Sequence, residues 1–236
     1  MIHGRNKHSG FTLMEMTVVI VIIGLLAGGV VAGQSLIKTS EIASVMTDVN
    51  RFRAAINAFD TQYNALPGDM SNASSYWSTA NNGDGNGKIN YNSGAWGSEE
   101  YYVWQHLQLA NILPGTYGTS TATLPRSRLR DGYYRVSYQT GVYGKSAHMI
   151  SLNKWNSATN LANTAILSPK DVYEMDRKYD DGSADTGRIM GFNEQGVPGC
   201  VTNDYTVGYG SYLNTSDAIK CKIFFLLDER DPKQSS

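Results

Sequence analysis

The N-terminal part of the chain carries a long apolar run. From Val18 to Ala32 no side chain is polar, and the apolar stretch as a whole extends over residues 11–33. As a helix rising about 1.5 Å per residue, residues 11–33 would be about 35 Å long, which is enough to cross a bilayer core of about 30 Å. This segment is therefore predicted to be a transmembrane helix.

Behind this run the pattern becomes periodic. Apolar residues between positions 36 and 63 recur at spacings dominated by three and four, which is typical of a helix with one apolar face. No glycine or proline occurs from 34 to 66, and Pro67-Gly68 then forms a helix stop. We therefore predict a single helix from about 11 to about 64, whose second half, residues 34–64, packs on a globular domain.

Residues 65–236 show the short elements of an α+β head. A polar segment rich in Gly, Asn and Ser covers residues 67–98 and is predicted to be irregular. Beyond it, cap residues and alternating apolar positions predict two short helices and an antiparallel sheet that rests on the long helix. The predicted helices are 99–111, with Ser98 as N-cap, and 169–179, with Ser168 as N-cap; the predicted strands are 133–138, 148–152, 188–192 and 220–227.

Charge places the two ends of the apolar run on opposite sides of a membrane. The first ten residues contain Arg5 and Lys7 and no acidic residue, so the positive-inside rule keeps them cytoplasmic and puts everything after Gly33 outside. The whole chain has a net charge of −1, and it therefore has no general attraction for nucleic acid. A local basic run is interpreted as a solvated loop and consists of Arg126, Arg128 and Arg130.

Two cysteines near the C-terminus, Cys200 and Cys221, are predicted to form a disulfide bond. Exported proteins commonly pair such residues, and closing a loop of this length contributes about 3 kcal/mol. Neither cysteine belongs to a CxxC or metal-ligand pattern. The alternative is two buried thiols.

One acidic residue, Glu15, interrupts the start of the apolar run. A carboxylate deep in a bilayer costs about 2.5–3.5 kcal/mol on insertion scales and normally has a partner. If the chain is cut between Gly10 and Phe11, the freed amino group is a candidate, because positions 11 and 15 share a helix face. The amine of one subunit would then neutralise Glu15 of its neighbour.

Between the basic leader and the apolar helix stands the string Gly10-Phe11-Thr12-Leu13-Met14-Glu15. It resembles the processing motif of type IV prepilins and type II secretion pseudopilins. The resemblance implies that a prepilin peptidase removes residues 1–10 by cutting after Gly10, that Phe11 is methylated, and that Glu15 guides subunit docking. It also implies a pilin fold. Two alternatives remain open: a secretory signal peptide cut near Val30-Val31-Ala32, and an uncut signal anchor.

These patterns favour a structural protein: a subunit of a type IV pilus-like or type II secretion pseudopilus filament. Its precursor would sit in the inner membrane with a periplasmic head, and its expected partners are other pilin or pseudopilin subunits and an inner-membrane assembly platform. The alternative is a minor pilin that binds a surface, a glycan, DNA or a secreted substrate through the Tyr-rich segments 133–143 and 205–212. No GxSxG, HExxH or Walker motif occurs, and His106 and His148 are interpreted as structural, so an enzyme is not expected.

Calcium is the one cofactor for which the head offers a pattern. Asn82, Asp84, Asn86 and Lys88 stand at positions 1, 3, 5 and 7 of an EF-hand-type loop, although position 12 is Ser93 instead of glutamate. The alternative is a Gly/Asn turn without metal. A second acidic cluster follows a predicted helix end and is otherwise a solvated capping loop; it consists of Asp180, Asp181 and Asp185, with Asp176 before them.

Overall fold

A computed structural model describes residues 11–90, 98–130, 132–156, 161–193, 198–202, 210–213 and 216–227. The leader, and with it the predicted cleavage residue Gly10, lies outside the described residues. The chain divides into two compact units, with the boundary between Ala43 and Ser44.

The first unit consists of the N-terminal part of a long helix. α1 extends over Leu13–Tyr63, close to the predicted bounds of 11 and 64. Its segment Leu13–Val30 has a mean hydropathy of 2.3 and is long and apolar enough to cross a membrane. Large apolar side chains are exposed along this segment, for example Leu13 at 84% and Leu25 at 73%. Such a surface is suited to lipid or to other helices.

In the second unit, the last turns of α1 bury one apolar stripe. Phe52 meets the rings of Trp104 and Tyr134 edge-on, with centroid distances of 4.9 and 5.0 Å. Arg53 donates from Nε and Nη2 to the Leu226 carbonyl at 3.1 and 2.7 Å. The helix therefore rests on the sheet, as predicted. The fully buried members of the stripe are Val45, Val49, Phe52, Ile56 and Phe59.

The sheet is built from β1 (Tyr133–Val142), β2 (Lys145–Asn156), β3 (Leu161–Thr164), β4 (Ile189–Asn193) and β5 (Cys221–Leu226). Four of these strands run antiparallel in the spatial order β1-β2-β5-β4, and β3 pairs with β2. Tyr134 on one face contacts α1. The other face carries an apolar cluster that includes Met149, Phe192 and Phe224, so the sheet is buried on both sides.

Tyr143 and Gly144 form the turn between β1 and β2. Both have positive φ, 46° and 74°, as a two-residue type I′ hairpin requires. Tyr143 is held there because its ring stacks on Phe192 at 4.5 Å and its hydroxyl donates to the Gly191 carbonyl at 2.8 Å. The strands predicted at 133–138 and 148–152 are present but longer, since the glycines near the turn mark a hairpin and not the end of each strand.

The described part of the head also contains three short α-helices and a 3-10 turn at Thr121–Thr123. The helices are α2 (Ala73–Tyr76), α3 (Glu99–Leu109) and α4 (Pro169–Tyr179). The predicted cap of α4 is confirmed, because Ser168 Oγ accepts a hydrogen bond from the Asp171 amide at 3.2 Å. Ser98 is the N-cap residue of α3, as predicted, but its side chain makes no cap hydrogen bond. The Ser98 hydroxyl instead donates to the charged acceptor Glu100 Oε1 at 3.1 Å.

The predicted disulfide bond is present. Cys200 and Cys221 are bonded, with their Cα atoms 4.9 Å apart. The bond ties residues 198–202 to the first residue of β5. Both cysteines are fully buried, so the bond lies within the core. By restricting the unfolded chain, it stabilises the folded state by about 3 kcal/mol.

Candidate functional site

At the start of α1, Thr12 and Glu15 form a reciprocal capping box. Glu15 Oε2 accepts from the Thr12 amide at 2.8 Å and from Thr12 Oγ at 2.9 Å. In return, the Glu15 amide donates to Thr12 Oγ at 3.2 Å. From the sequence, only the Phe11 amine was considered as a partner of Glu15. The spacing Thr-x-x-Glu ahead of an apolar run was the signal that could have identified Thr12 as a second partner.

The side chains around this box have no cover within the described part of the chain. Phe11 is 79% exposed and Met14 is 76% exposed. Further along the same segment, a Cβ built on any of four glycines would meet no atom within 4 Å. Nothing in the described part of the subunit therefore requires glycine at these positions, which are Gly24, Gly28, Gly29 and Gly33.

In the head, two side-chain oxygens of the predicted calcium loop accept hydrogen bonds from backbone amides. Asn82 Oδ1 accepts from the Ser74 amide at 2.8 Å, and Asn86 Oδ1 accepts from the Lys88 amide at 2.8 Å. Asn86 also donates from Nδ2 to Asp84 Oδ2 at 2.8 Å, and Asp84 belongs to a cluster of carboxylates. A cation held by Asn82, Asp84, Asn86 and Lys88 stays a prediction.

Asp84 converges with Asp69 and Glu99, whose carboxylate oxygens lie within 4.8 Å of one another and of Asp84. Sequence reasoning missed both partners, because they flank the loop at distant positions in the chain. Backbone amides already serve them: Gly87 donates to Asp69 Oδ2 at 2.9 Å and Asn90 donates to Glu99 Oε2 at 2.7 Å. Burial raises the pKa of Asp69 to about 6 and also raises the pKa of Glu99. Such a trio can hold a hard cation.

Two neutral histidines fix the polar segment that carries this trio. His106 Nδ1 accepts from the Gly68 amide at 2.9 Å, so Nε2 carries the proton and donates to the Asn81 carbonyl at 2.7 Å. His148 Nε2 accepts from the Ile89 amide at 3.0 Å. Burial lowers the pKa of both rings, to about 4 for His148. Their role in the described structure is to position backbone.

The second predicted cluster forms in part. The carboxylate oxygens of Asp176, Asp180 and Asp181 lie within 4.8 Å of one another. Asp185 is not part of this group, and its carboxylate accepts a hydrogen bond from Ser183 Oγ at 2.8 Å. The converging carboxylates build a turn, because Asp180 Oδ2 accepts from the amides of Arg188 and Ile189. Asp176 accepts from Tyr212 Oη at 2.7 Å, and burial raises its pKa to about 7.

Comparison with known proteins places the N-terminal segment. The family model described as "Prokaryotic N-terminal methylation motif" matches residues 5–31. These residues include the capping box of Thr12 and Glu15. The start of α1 therefore carries a prokaryotic N-terminal methylation motif. No curated protein matches the chain. Among solved structures, the major type IV pilin PilA1 from Clostridium difficile is 9% identical, with a TM-score of 0.38 over 82% of this chain and 98% of that chain.

Within the described residues, four of the five tyrosines in the two tyrosine-rich segments are buried. Tyr133, Tyr134 and Tyr143 are at most 1% exposed, and Tyr212 is 8% exposed. Tyr133 and Tyr134 belong to β1 and Tyr143 to the turn that follows it, whereas Tyr138 on β1 is half-buried. Tyr205 and Tyr209 lie outside the described residues. The basic run 126–130 is solvated as predicted, with its arginines exposed and Ser127 and Leu129 buried between them.

Calcium in the head remains a prediction. If it binds at the 82–90 loop, we expect calcium to raise the Tm of the purified full-length chain and excess chelator to lower it. An ion at about 100 times its Kd contributes roughly 2.7 kcal/mol, or about 5–10 °C for a head of this size. Asp84→Asn should abolish the calcium-dependent shift, whereas Asp181→Asn should keep it. A Tm that responds to neither calcium nor chelator contradicts the prediction.

Proposed function

We propose that the chain is the structural subunit of a filament, either a type IV pilus-like filament or a type II secretion pseudopilus. Residues 11–33 hold it in the inner membrane with the head in the periplasm, and a prepilin peptidase cuts after Gly10 and methylates Phe11. One observation carries the proposal. The methylation motif at residues 5–31 continues without a break into a helix whose apolar side chains are exposed.

The capping box supports storage of the subunit in a membrane. A carboxylate within the apolar segment is costly unless it is hydrogen-bonded. Thr12 supplies Glu15 with two donors from the same subunit. The Glu15 carboxylate of a membrane-inserted subunit therefore has hydrogen-bond partners before any neighbouring subunit is present.

The same geometry supports assembly. A carboxylate offers about four lone-pair sites, and the described donors use Oε2. Glu15 can thus retain Thr12 and also accept the Phe11 amine of a neighbouring subunit. In lipid there is no hydrophobic driving force for helices to associate, so the association must come from close van der Waals packing. The four glycines of the segment, which nothing in the described subunit requires, permit that approach once an assembly platform extracts the subunit.

The mature N-terminus tests the proposal. We expect the chain, expressed with its own prepilin peptidase and recovered from membranes, to begin at Phe11 with one methyl group on the amine. Gly10→Val should block the cut, whereas Ser9→Ala, one residue earlier, should leave it intact. N-terminal sequencing and intact mass give the readout. A mature chain that begins at Met1 or at Gly33 contradicts the proposal.

A further inference from the structure

Three aromatic side chains form a surface where α1 ends and α2 follows. Tyr63, Tyr76 and Trp77 lie with ring centroids 5.2–5.7 Å apart in every pair, and we call them the aromatic platform. Tyr76 is 56% exposed, while Tyr63 and Trp77 are half-buried. The buried Phe59 supports them from below, 4.6 Å from Tyr63. The platform thus has an apolar base and an open outer side.

The segment that carries Tyr76 and Trp77 has no charged side chain. Residues 71–82 contain no Asp, Glu, Lys or Arg, in a chain of which 17% is charged. Instead, the segment exposes hydroxyl and amide side chains, which can each both donate and accept hydrogen bonds. The combination of Tyr and Trp with Ser and Asn is the composition of binding loops, where rings supply area and small polar groups supply hydrogen bonds. The exposed polar members are Ser71, Asn72, Ser74, Ser75, Ser78, Thr79, Asn81 and Asn82.

Contacts from α3 hold this segment in one conformation. Gln105 accepts from the Asn81 amide at 3.0 Å and donates to the Thr79 carbonyl at 3.3 Å. His106 donates to the Asn81 carbonyl at 2.7 Å. Asn82 closes the segment on itself by accepting from the Ser74 amide at 2.8 Å. A surface fixed in this way loses little conformational entropy when a ligand binds.

We propose that the aromatic platform binds a neutral saccharide chain. A sugar ring has an apolar C–H face that can lie on an aromatic ring, and its hydroxyl edge matches the neutral donors and acceptors around the platform. An ionic partner would find no counter-charge on residues 71–82. The inference does not rest on filament assembly, since the platform lies wholly within the second unit and is present in each subunit.

Affinity electrophoresis tests the inference with the full-length chain. The protein is run in a polyoxyethylene detergent, which carries no sugar, through native gels that contain dextran, hydroxyethyl cellulose, galactomannan or the anionic alginate. We expect retardation by at least one neutral polymer and none by alginate. Tyr76→Ser should weaken that interaction about tenfold, and Tyr76→Phe should preserve it. Tyr179→Ser is the matched control, because Tyr179 is another exposed tyrosine, at 39%, on α4.

The outcomes separate clearly. Selective loss in Tyr76→Ser, with an unchanged Tm, supports the inference. Retardation by alginate alone, equal retardation of Tyr76→Ser and the wild type, or no retardation in any neutral polymer overturns it. None of these results depends on cleavage after Gly10, so they can be told apart from a failure of the filament proposal.

Discussion

Glu15→Leu is expected to yield a subunit that is cleaved and membrane-inserted but absent from filaments. The substitution leaves the apolar segment intact and removes the only acidic residue in the first turn of α1. It thereby removes both the capping box with Thr12 and the negative charge that would receive a neighbour's Phe11 amine. Sheared surface fractions should lose the subunit, while membrane fractions retain it at the normal level.

Glu15→Gln separates the two roles of the carboxylate. Glutamine keeps the capping box, because its side-chain oxygen can still accept from Thr12, but it carries no charge. If the charge pair guides assembly, Glu15→Gln should fail as Glu15→Leu does. Thr12→Val instead removes the cap, at a cost of about 0.5–2 kcal/mol to the helix start, and keeps the charge. Filaments formed normally by Glu15→Gln would contradict the pairing with the Phe11 amine.

Arg135→Met is expected to destabilise the head by about 3–5 kcal/mol. Arg135 on β1 donates from Nε to Glu100 Oε2 at 2.9 Å, and the side chains of this pair are 6% and 2% exposed. Removing the guanidinium leaves a buried carboxylate without its counter-charge. Burial already raises the pKa of Glu100 against the opposing effect of Arg135, so the variant should take up a proton there. Tm should fall by about 10 °C.

The control for this experiment is Arg128→Met, which removes an exposed arginine and should change Tm by little. The double variant Arg135→Met with Glu100→Leu should recover part of the loss, because it removes both buried charges together. Thermal unfolding of the full-length chain in detergent measures all three. An Arg135→Met variant as stable as the wild type would show that the buried ion pair contributes nothing to the stability of the head.

The elements that the sequence predicted well are those set by local patterns. The apolar run and the stripe of period 3.6 predicted α1 to within two residues at each end. Ser168 before Pro169, with Asp171 three positions on, predicted the start of α4. Thr12 and Glu15 show the same kind of local signal. That cap was missed because Glu15 was considered only as a charge in a membrane.

The candidate sites in the head depended on contacts that no local pattern contains. Asp69 and Glu99 reach Asp84 from positions 15 residues away on either side. The tyrosines of 133–143 have the composition of a contact surface, yet in the assembled sheet Tyr133, Tyr134 and Tyr143 are buried. Phe52 packs on Tyr134. Which residues are exposed is decided by the assembled sheet. The aromatic platform can be recognised only from the structure, in which Tyr76 is exposed beside Tyr63 and Trp77.

The order of strands in the sheet has a consequence for how the subunit is made. β5 contains the last described strand residues of the chain, yet it lies between β2 and β4. The sheet therefore cannot close until the C-terminal part of the polypeptide is available. In the proposed membrane topology α1 enters first, so the N-terminus would be anchored while the head still lacks its central strand. The distance in sequence between β2 and β5 makes this closure a slow, late step, and a truncated chain would leave two unpaired strand edges exposed to aggregation.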